Sequence, residues 1–440
     1  MTATGRVGFA SLHHRNFRLY LIGQGVSQAG TWMQTVAMGW LVLRLTGRGE
    51  LLGLVTAVQF IPTLLLGAFA GALADRLSRW RILQTTQVLA GLLATALGVM
   101  VLTDTIRVWS LFVFAACIGT VNSFDTPVRS SFVHEMVGPD DLTGAVGIAS
   151  TTNNVSRIIG PALAGALIAW LDLWSCFFVN GISYLAAIAA FLLMRRAEFI
   201  ITPAAERHKG QVRAGLRVVW ADPRLRTPML MTVVIGALAY ENQVSLPLLA
   251  KYTFGDRAEN YGFLSSAMGI GSVLGGLVIA RMGRATHRRI GHAAAFLGVA
   301  MLIGAAMPSM ALMLIALLFV GAGSVAFITS NSATLQLTAP PQMRGRVMAL
   351  YVTAIIGTTP FGGPIIGFIG QHFGARATYI TGGLACLVTA AVGWRSLAAS
   401  TEEAVSESED AVIERRALLE GEDLTSGKGS LPGPLTGADD

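Results

Sequence analysis

Cysteine and charged residues are both scarce in this chain of 440 residues, and each shortage argues against particular classes of protein. The three cysteines, Cys117, Cys176 and Cys386, each lie inside an apolar run. They have neither the spacing of a disulfide framework nor that of a metal site, and are typical of small packing residues. Charged residues make up 13% of the chain, against about 25% in ordinary soluble domains. A soluble enzyme is therefore disfavoured.

Motifs for nucleotide hydrolysis and metal-dependent catalysis are also missing. No G-x-x-x-x-G-K-[ST] occurs, and the similar stretch "GEDLTSGKG" has five residues between its glycines and no Ser or Thr after the lysine. Neither H-E-x-x-H nor C-x-x-C is found. The sequence therefore predicts a protein that is not an enzyme and has no cofactor or metal.

Apolar residues are abundant instead: they make up 53% of the chain, and the mean hydropathy is +0.60. A membrane-spanning helix needs roughly 20 mostly apolar residues, and hydrocarbon favours helices because it cannot satisfy an open strand edge. We predict an all-α membrane protein with twelve spans near residues 18–43, 51–74, 82–102, 108–135, 142–170, 173–194, 225–249, 260–281, 289–307, 309–337, 344–371 and 375–397.

The distribution of charge predicts the orientation of these spans. Eleven of the 25 acidic residues follow Ser400, so the chain before that point is strongly basic. With a cytoplasmic N-terminus, 22 of its 29 lysines and arginines fall on the inner side, as the positive-inside rule requires. We therefore expect a multi-pass protein of the cell membrane with both termini in the cytoplasm.

The polar segments between the apolar spans divide the chain into five parts. We expect a cytoplasmic N-terminus (1–17), a six-helix bundle (18–194), a cytoplasmic central loop (195–224), a second six-helix bundle (225–397) and an acidic tail (398–440). Low hydrophobicity and high charge predict a disordered tail.

An internal repeat relates the two bundles. "GALADRLSR" at 71–79 matches "GLVIARMGR" at 276–284, "TGAV" at 143 matches "RGRV" at 344, and "GPALAG" at 160 matches "GPIIG" at 363. The three offsets are nearly constant, which argues against chance similarity among helices rich in glycine and alanine. Two parallel six-helix repeats are typical of transporters with a substrate site between the halves.

"GALADRLSR" resembles the G-x-x-x-D-R-x-x-R loop signature of the major facilitator superfamily. "SFDTPVRSSFVHEMV", "RIIGPALAG", "YGFLSSAMGIGSVLGG" and "RGRVMALY" resemble the subgroup that contains the enterobactin exporter and related bacterial drug and secondary-metabolite exporters. The resemblance covers residues 11–397. It implies two pseudo-symmetric halves of six helices and transport by alternating access.

The resemblance also implies a gate around the loop signature. Gly71 and Asp75 are four residues apart and share a helix face. Asp75 is expected at the inner membrane edge, against the N-terminus of the eleventh span, where a helix dipole favours an anion. Arg76 and Arg79 are candidates for the same gate, although the positive-inside rule alone also explains them.

Asp125 and Arg129 lie four residues apart around Pro127, near the inner end of the fourth span. A local ion pair that stabilises a proline-interrupted helix is one interpretation. The other is a latch that joins Asp125 or Glu135 to the arginines after Gly71. In the fifth span, "RIIGPALAG" with Gly160 and Pro161 resembles an exporter signature associated with helix bending and with sealing of the cavity.

Arg157 lies near the middle of the fifth span, where a cation costs about 3 kcal/mol unless it faces protein or water. Asn153 and Gly160 recur beside it at helical spacing, so we expect this stripe to face a central cavity. Structural pairing with a buried acid or with carbonyl groups is the alternative.

Glu241 is the acidic residue of the seventh span. A carboxyl group in an apolar wall suits a proton carrier working near neutral pH. Contact with a cationic substrate, or a harmless place near the outer mouth, are the alternatives.

Polar residues at helical spacing on the first span, Gln24, Gln28, Thr31 and Gln34, are expected to face the cavity. Asn154 and Asn331 are further candidates for substrate or proton contact, although such single amides more often join helices.

Two departures from the superfamily pattern limit what the resemblance implies. Ala116 stands where proton-driven exporters often have an arginine, so that residue's proton-relay role cannot be transferred. Ala280 stands at the position of the second repeat that matches Asp75, so the two gates are not equivalent.

Together these features predict a monomeric secondary transporter that exports a small amphipathic molecule, such as a drug, siderophore or secondary metabolite, by proton antiport. Its partners are the substrate and the lipid bilayer, with no role for nucleic acid. Import or facilitated diffusion is the first alternative. A membrane-embedded sensor or enzyme is the second, and no catalytic constellation supports it.

Overall fold

The computed structural model describes residues 10–74, 77–200, 211–282 and 287–394. Asp75, Arg76 and the acidic tail lie outside these residues. The regular elements of the described residues are helices, with no strand among them: α1 Arg15–Thr46, α2 Gly49–Ala74, α3 Arg79–Leu102, α4 Val108–Leu171, α5 Leu173–Leu193, α6 Gln211–Ala221, α7 Pro223–Ala239, α8 Asn242–Tyr252, α9 Ala258–Arg281, α10 His287–Ala306, α11 Met310–Thr338, α12 Arg344–His372 and α13 Ala375–Trp394.

Twelve membrane crossings are present among the described residues. Ten segments are long and apolar enough to cross a membrane, with α7 and α8 counted as one. The 64 residues of α4 would extend about 96 Å, far more than a bilayer, so this helix crosses twice. The 32-residue α1 adds the twelfth crossing, its average hydropathy lowered by the polar stripe that the sequence predicts. The predicted all-α fold is confirmed.

The two passes of α4 meet at Gly138, which has a φ of 73°. This backbone conformation favours glycine, because a side chain would clash there. Pro139 follows and disfavours continuation of the preceding helix. The first arm (108–137) and the second arm (139–171) therefore join through one residue, where the sequence predicts a longer break between residues 135 and 142.

The seventh span is not the continuous helix expected over residues 225–249. The structure divides it into α7 and α8 at Tyr240 and Glu241. The Tyr240 amide bonds to the Ile235 carbonyl, five residues back, and the Asn242 amide bonds to the Tyr240 carbonyl, so the α-helical pattern is interrupted. This break positions Glu241.

The chain forms two halves, α1–α5 and α7–α13, that meet along two seams. At one seam α2 packs on α12, and at the other the second arm of α4 packs on α9. Glycines allow backbones to touch at both: Gly53 lies on the Gly363 carbonyl, and Gly262 lies on the Pro161 carbonyl.

Polar contacts join the halves at one end of the bundle, named here the closed end. The Gly49 amide bonds to the Gln371 side chain at 2.7 Å, the Lys251 ammonium to the Leu43 carbonyl at 3.0 Å, and the Tyr252 hydroxyl to the Gly47 carbonyl at 2.6 Å. The opposite end, where α1 begins and α2 ends, is named here the open end.

Candidate functional site

A cavity of about 580 Å³ lies inside the bundle. Its wall comes mainly from α1 to α5, while the other half contributes Gln243 and Ile356. Along α1 it extends from Val42, near the closed end, to Tyr20, near the open end. Because α1 rises 1.5 Å per residue, these positions are about 33 Å apart, so the cavity runs through most of the bundle.

The wall changes in character along this axis. Toward the closed end it is largely apolar, with Met38, Val42, Leu52 and Val55 close to the tightly packed seam. Toward the open end it carries hydroxyl, amide and charged groups, including Tyr20, Gln24, Ser27, Thr86, Gln87, Asp125 and Arg129. The cavity is therefore amphipathic along its length.

The polar stripe of α1 faces this cavity: Gln24, Gln28, Thr31 and Gln34 all line it. The Thr31 hydroxyl lies 3.2 Å from the Tyr184 hydroxyl, and Gln34 accepts a hydrogen bond from Asn180 at 2.6 Å. The Gln24 amide is buried and has no hydrogen-bond partner. An unpaired buried amide is unfavourable, and this one belongs to the cavity lining.

Asp125 is the centre of a buried network on the cavity wall, with only 2% of its side chain exposed. One carboxylate oxygen accepts hydrogen bonds from Thr86 at 2.8 Å and Gln87 at 2.9 Å, and the other pairs with Arg129. Ser27 of α1 donates to Gln87 at 3.2 Å. The network thus ties α1, α3 and the first arm of α4 together.

Sequence reasoning missed Thr86 and Gln87 as members of the site. A signal was available, because "QTTQ" places four polar residues in succession at 84–87 within an apolar span.

Arg79 pairs with Glu135 rather than with Asp125. Their side chains are 14% and 12% exposed, and the closest nitrogen and oxygen are 2.5 Å apart. Of the two acids considered for a latch, the structure brings Glu135 to Arg79, while Asp125 pairs locally with Arg129. Gly71 lies in the last turns of α2, just before the undescribed Asp75 and Arg76.

Gly160 and Pro161 lie where the second arm of α4 packs between α1 and α9. A Cβ atom on Gly160 would lie 2.5 Å from the Ala29 carbonyl oxygen of α1, closer than any side chain tolerates. On the other side, the Pro161 carbonyl faces Gly262 of α9. The pair therefore sets the close packing of α1, α4 and α9.

Arg157 does not line the cavity directly. Its guanidinium lies 5.2 Å from the centre of the Trp32 ring, and Trp32 does line the cavity. Such a cation–π contact offsets part of the cost of a cation within the membrane. Asn153 faces the cavity, whereas the adjacent Asn154 lies off it and donates to the Ser150 carbonyl at 3.0 Å.

Glu241 and Asn331 also lie away from the cavity, in the other half. Glu241 is 3% exposed, and one carboxyl oxygen has no hydrogen-bond partner. It faces α12, where Gly362 leaves room for that oxygen. Asn331 is fully buried and donates to the Pro228 carbonyl at 3.1 Å and to the Thr232 hydroxyl at 2.6 Å. Asn331 therefore joins α11 to α7.

A family profile described as transmembrane secretion effector matches residues 6–426 of the chain. The protein belongs to this family of major facilitator superfamily transporters. The resemblance stated from the sequence motifs is thereby confirmed.

Two relatives with low sequence identity to this chain support its membership of the family. The chain is 24% identical to the staphyloferrin A transporter of Staphylococcus aureus over 366 residues, which cover 81% of this chain and 90% of the relative. It is 28% identical to the multidrug efflux pump Tap of Mycolicibacterium fortuitum over 389 residues, which cover 85% and 94%.

Solved transporter structures share the fold. A bacterial homologue of the iron transporter ferroportin in an inward-facing state superimposes with a TM-score of 0.69 at 16% identity, covering 87% of this chain and 98% of that one. A bacterial homologue of the human lysosomal transporter Spinster, inward-facing and unoccupied, gives 0.67 at 15% identity, covering 90% and 97%. At such identities the likeness concerns the fold alone.

Proposed function

We propose that this protein is a secondary active exporter that carries a small amphipathic molecule across the bacterial cell membrane by alternating access, in exchange for protons. The observation that carries the proposal is the amphipathic cavity inside the bundle, next to seams that polar contacts and backbone packing seal at one end. Its volume falls within the range of sites for drug-sized molecules. The protein acts as a monomer without a cofactor.

The open end is assigned to the cytoplasm, which makes this the inward-facing state. The positive-inside rule supports this orientation, because arginines such as Arg15, Arg18, Arg79 and Arg81 gather where α1 and α3 begin. A cavity that opens to the cytoplasm is where an exporter would collect its cargo. The name of the multidrug efflux pump among the relatives favours export over import.

Transport into inside-out vesicles tests the proposal. Vesicles with and without the protein are energised to an acidic interior and offered a panel of fluorescent amphipathic dyes. We expect protein-dependent accumulation that stops when nigericin collapses the pH gradient. Accumulation that persists without any gradient would reject proton coupling, and uptake only in the opposite direction would favour the importer alternative.

Glu241 is proposed as the proton carrier, because one of its two carboxyl oxygens is buried without a partner at the break between α7 and α8. Glu241→Gln keeps the size of the side chain and removes its titration. We expect it to abolish gradient-driven accumulation while the protein remains folded and monodisperse. Glu259→Gln, at the start of α9, is the matched control and should transport normally. Unchanged transport by Glu241→Gln would remove this residue from the carrier role.

Asp75 is proposed as part of the cytoplasmic gate, together with Gly71, Arg76 and the Arg79 that pairs with Glu135. Asp75→Asn should weaken the gate's closed form and raise maleimide labelling of a cysteine at Thr63 from the cytoplasmic side under energised conditions. Asp104→Asn, at the opposite end of α3, is the control. Identical labelling of Asp75→Asn and the parent would reject the gate assignment.

A further inference from the structure

Five carboxamides that line the cavity without being fully buried have no hydrogen-bond partner among the described residues. Four of them are Gln28 of α1, Gln59 of α2, Asn122 of the first arm of α4 and Asn153 of the second, and the fifth is Gln243 of α8, which lies beside Gly39 nearer the closed end. None of the four is fully buried, so their polar atoms are open to the cavity. Two other amides of the cavity wall differ: Gln34 of α1 and Gln87 of α3 are buried and bonded to neighbouring helices.

The four amides lie at a similar depth. Gly119 packs on the backbone of Gln59, and Asn122 is one turn from Gly119. Ser156 donates to the Gly25 carbonyl at 3.1 Å, and Asn153 and Gln28 are each one turn from that contact. Each of the four also lies near the middle of its helix or arm, and together they are named here the amide band.

Charge on the cavity wall is balanced. The charged side chains that line the cavity within the described residues are Asp125 and Arg129, and they pair with each other. An anionic or cationic ligand would therefore enter without a free counter-ion, which is unfavourable in a partly desolvated site. Trp32 is the tryptophan of the wall, and its ring already carries the Arg157 guanidinium.

Carboxamides offer both donors and acceptors without charge. An uncharged head with hydroxyl or amide groups satisfies them, because each such group can donate and accept in turn. Beyond the amide band, toward the closed end, the apolar wall of Met38, Val42, Leu52 and Val55 fits an alkyl or ring portion.

We propose that the cavity binds an uncharged amphiphile whose hydroxyl- or amide-rich head contacts the amide band and whose apolar part points toward the closed end. This inference rests on the proposed function and names the class of its substrate. Glycosides and neutral amide-rich compounds belong to this class, whereas lipophilic cations do not.

Three probes with the same hexyl chain test the head group: hexyl β-D-glucoside, hexyltrimethylammonium and hexanesulfonate. The full chain is placed in lipid nanodiscs with Cys117→Ser and a reporter cysteine, Thr35→Cys, on the cavity wall. Protection of this cysteine from N-ethylmaleimide reports occupancy, since Cys176 and Cys386 are buried. We expect half-protection by the glucoside at a concentration at least about tenfold lower than by either charged probe.

Adjacent residues provide matched variants. Asn153→Ala removes an amide from the band, and Asn154→Ala removes an amide that lies off the cavity. We expect Asn153→Ala and Gln28→Ala each to raise the half-protecting glucoside concentration about fivefold, and Asn154→Ala to leave it unchanged. Labelling rates without any probe, compared among the variants, show whether the cavity is intact.

Equal protection by the three probes, stronger protection by a charged probe, or equal effects of Asn153→Ala and Asn154→Ala would overturn the inference. The assay uses no gradient and therefore separates this inference from the proposed function. Selective glucoside protection in a protein that transports nothing would reject export and leave the binding class standing. Export confined to cationic dyes would reject the binding class and leave export standing.

Discussion

Gly53→Leu is expected to reduce export to the level of vesicles that lack the protein. Gly53 of α2 lies on the backbone carbonyl of Gly363 of α12, so a larger side chain has no space unless the two helices separate. This contact is part of the seam that seals the closed end. A leucine there would hold the closed end apart and prevent the sealed packing of this end from forming.

Labelling from outside intact cells measures this separation. Thr56 of α2 is buried on the cavity wall one turn from Gly53, and a cysteine there should react with a membrane-impermeant maleimide only when the closed end opens. Gly67→Leu is the control, because a Cβ atom at Gly67, also in α2, meets no other atom within 4 Å. Normal transport by Gly53→Leu, or equal labelling of the two variants, would contradict the proposed role of this seam.

Loss of one partner from the Asp125–Arg129 pair is expected to be the largest single effect on stability. Arg129→Gln leaves the buried Asp125 carboxylate with only Thr86 and Gln87, and Asp125→Asn leaves the partly buried Arg129 guanidinium without its carboxylate. Removal of one member of a buried ion pair costs about 3–5 kcal/mol. The free energy of unfolding, measured by denaturant titration in mixed micelles, should fall accordingly.

The double variant, Asp125→Asn with Arg129→Gln, should recover most of this loss because no buried charge remains unpaired. Arg195→Gln, which breaks an exposed pair with Glu198, should leave the unfolding midpoint unchanged. Additive losses in the double variant would show that the two side chains act independently.

The crossings were predictable from sequence because hydrocarbon imposes a length and a composition on each helix. The position of the polar stripe of α1 was also predictable, because glutamine side chains of a membrane-spanning helix are unfavourable against lipid. Gln24 and Gln28 indeed line the cavity. The break at Glu241 was not predictable, because the apolar composition continues through it and the interruption is in backbone hydrogen bonding.

Two neighbouring asparagines show why the residues that line the cavity could not all be predicted from the sequence. Asn153 and Asn154 are identical in type, yet only the first lines the cavity, because a step of one residue turns the side chain by about 100° around the helix. Asn331, another lone amide, joins two helices instead. Such choices depend on helix rotation, which is set by contacts such as Gly160 on α1 and not by composition.

The contact between Gly49 and Gln371 makes the central claim of alternating access measurable as a distance. Spin labels at Arg48 and Phe373, both exposed beside this contact, report whether the closed end opens, by double electron–electron resonance in nanodiscs. We predict a short distance at neutral pH and a second, longer population when the pH is lowered to protonate the carrier. A single short distance under every condition of pH and substrate would contradict the account.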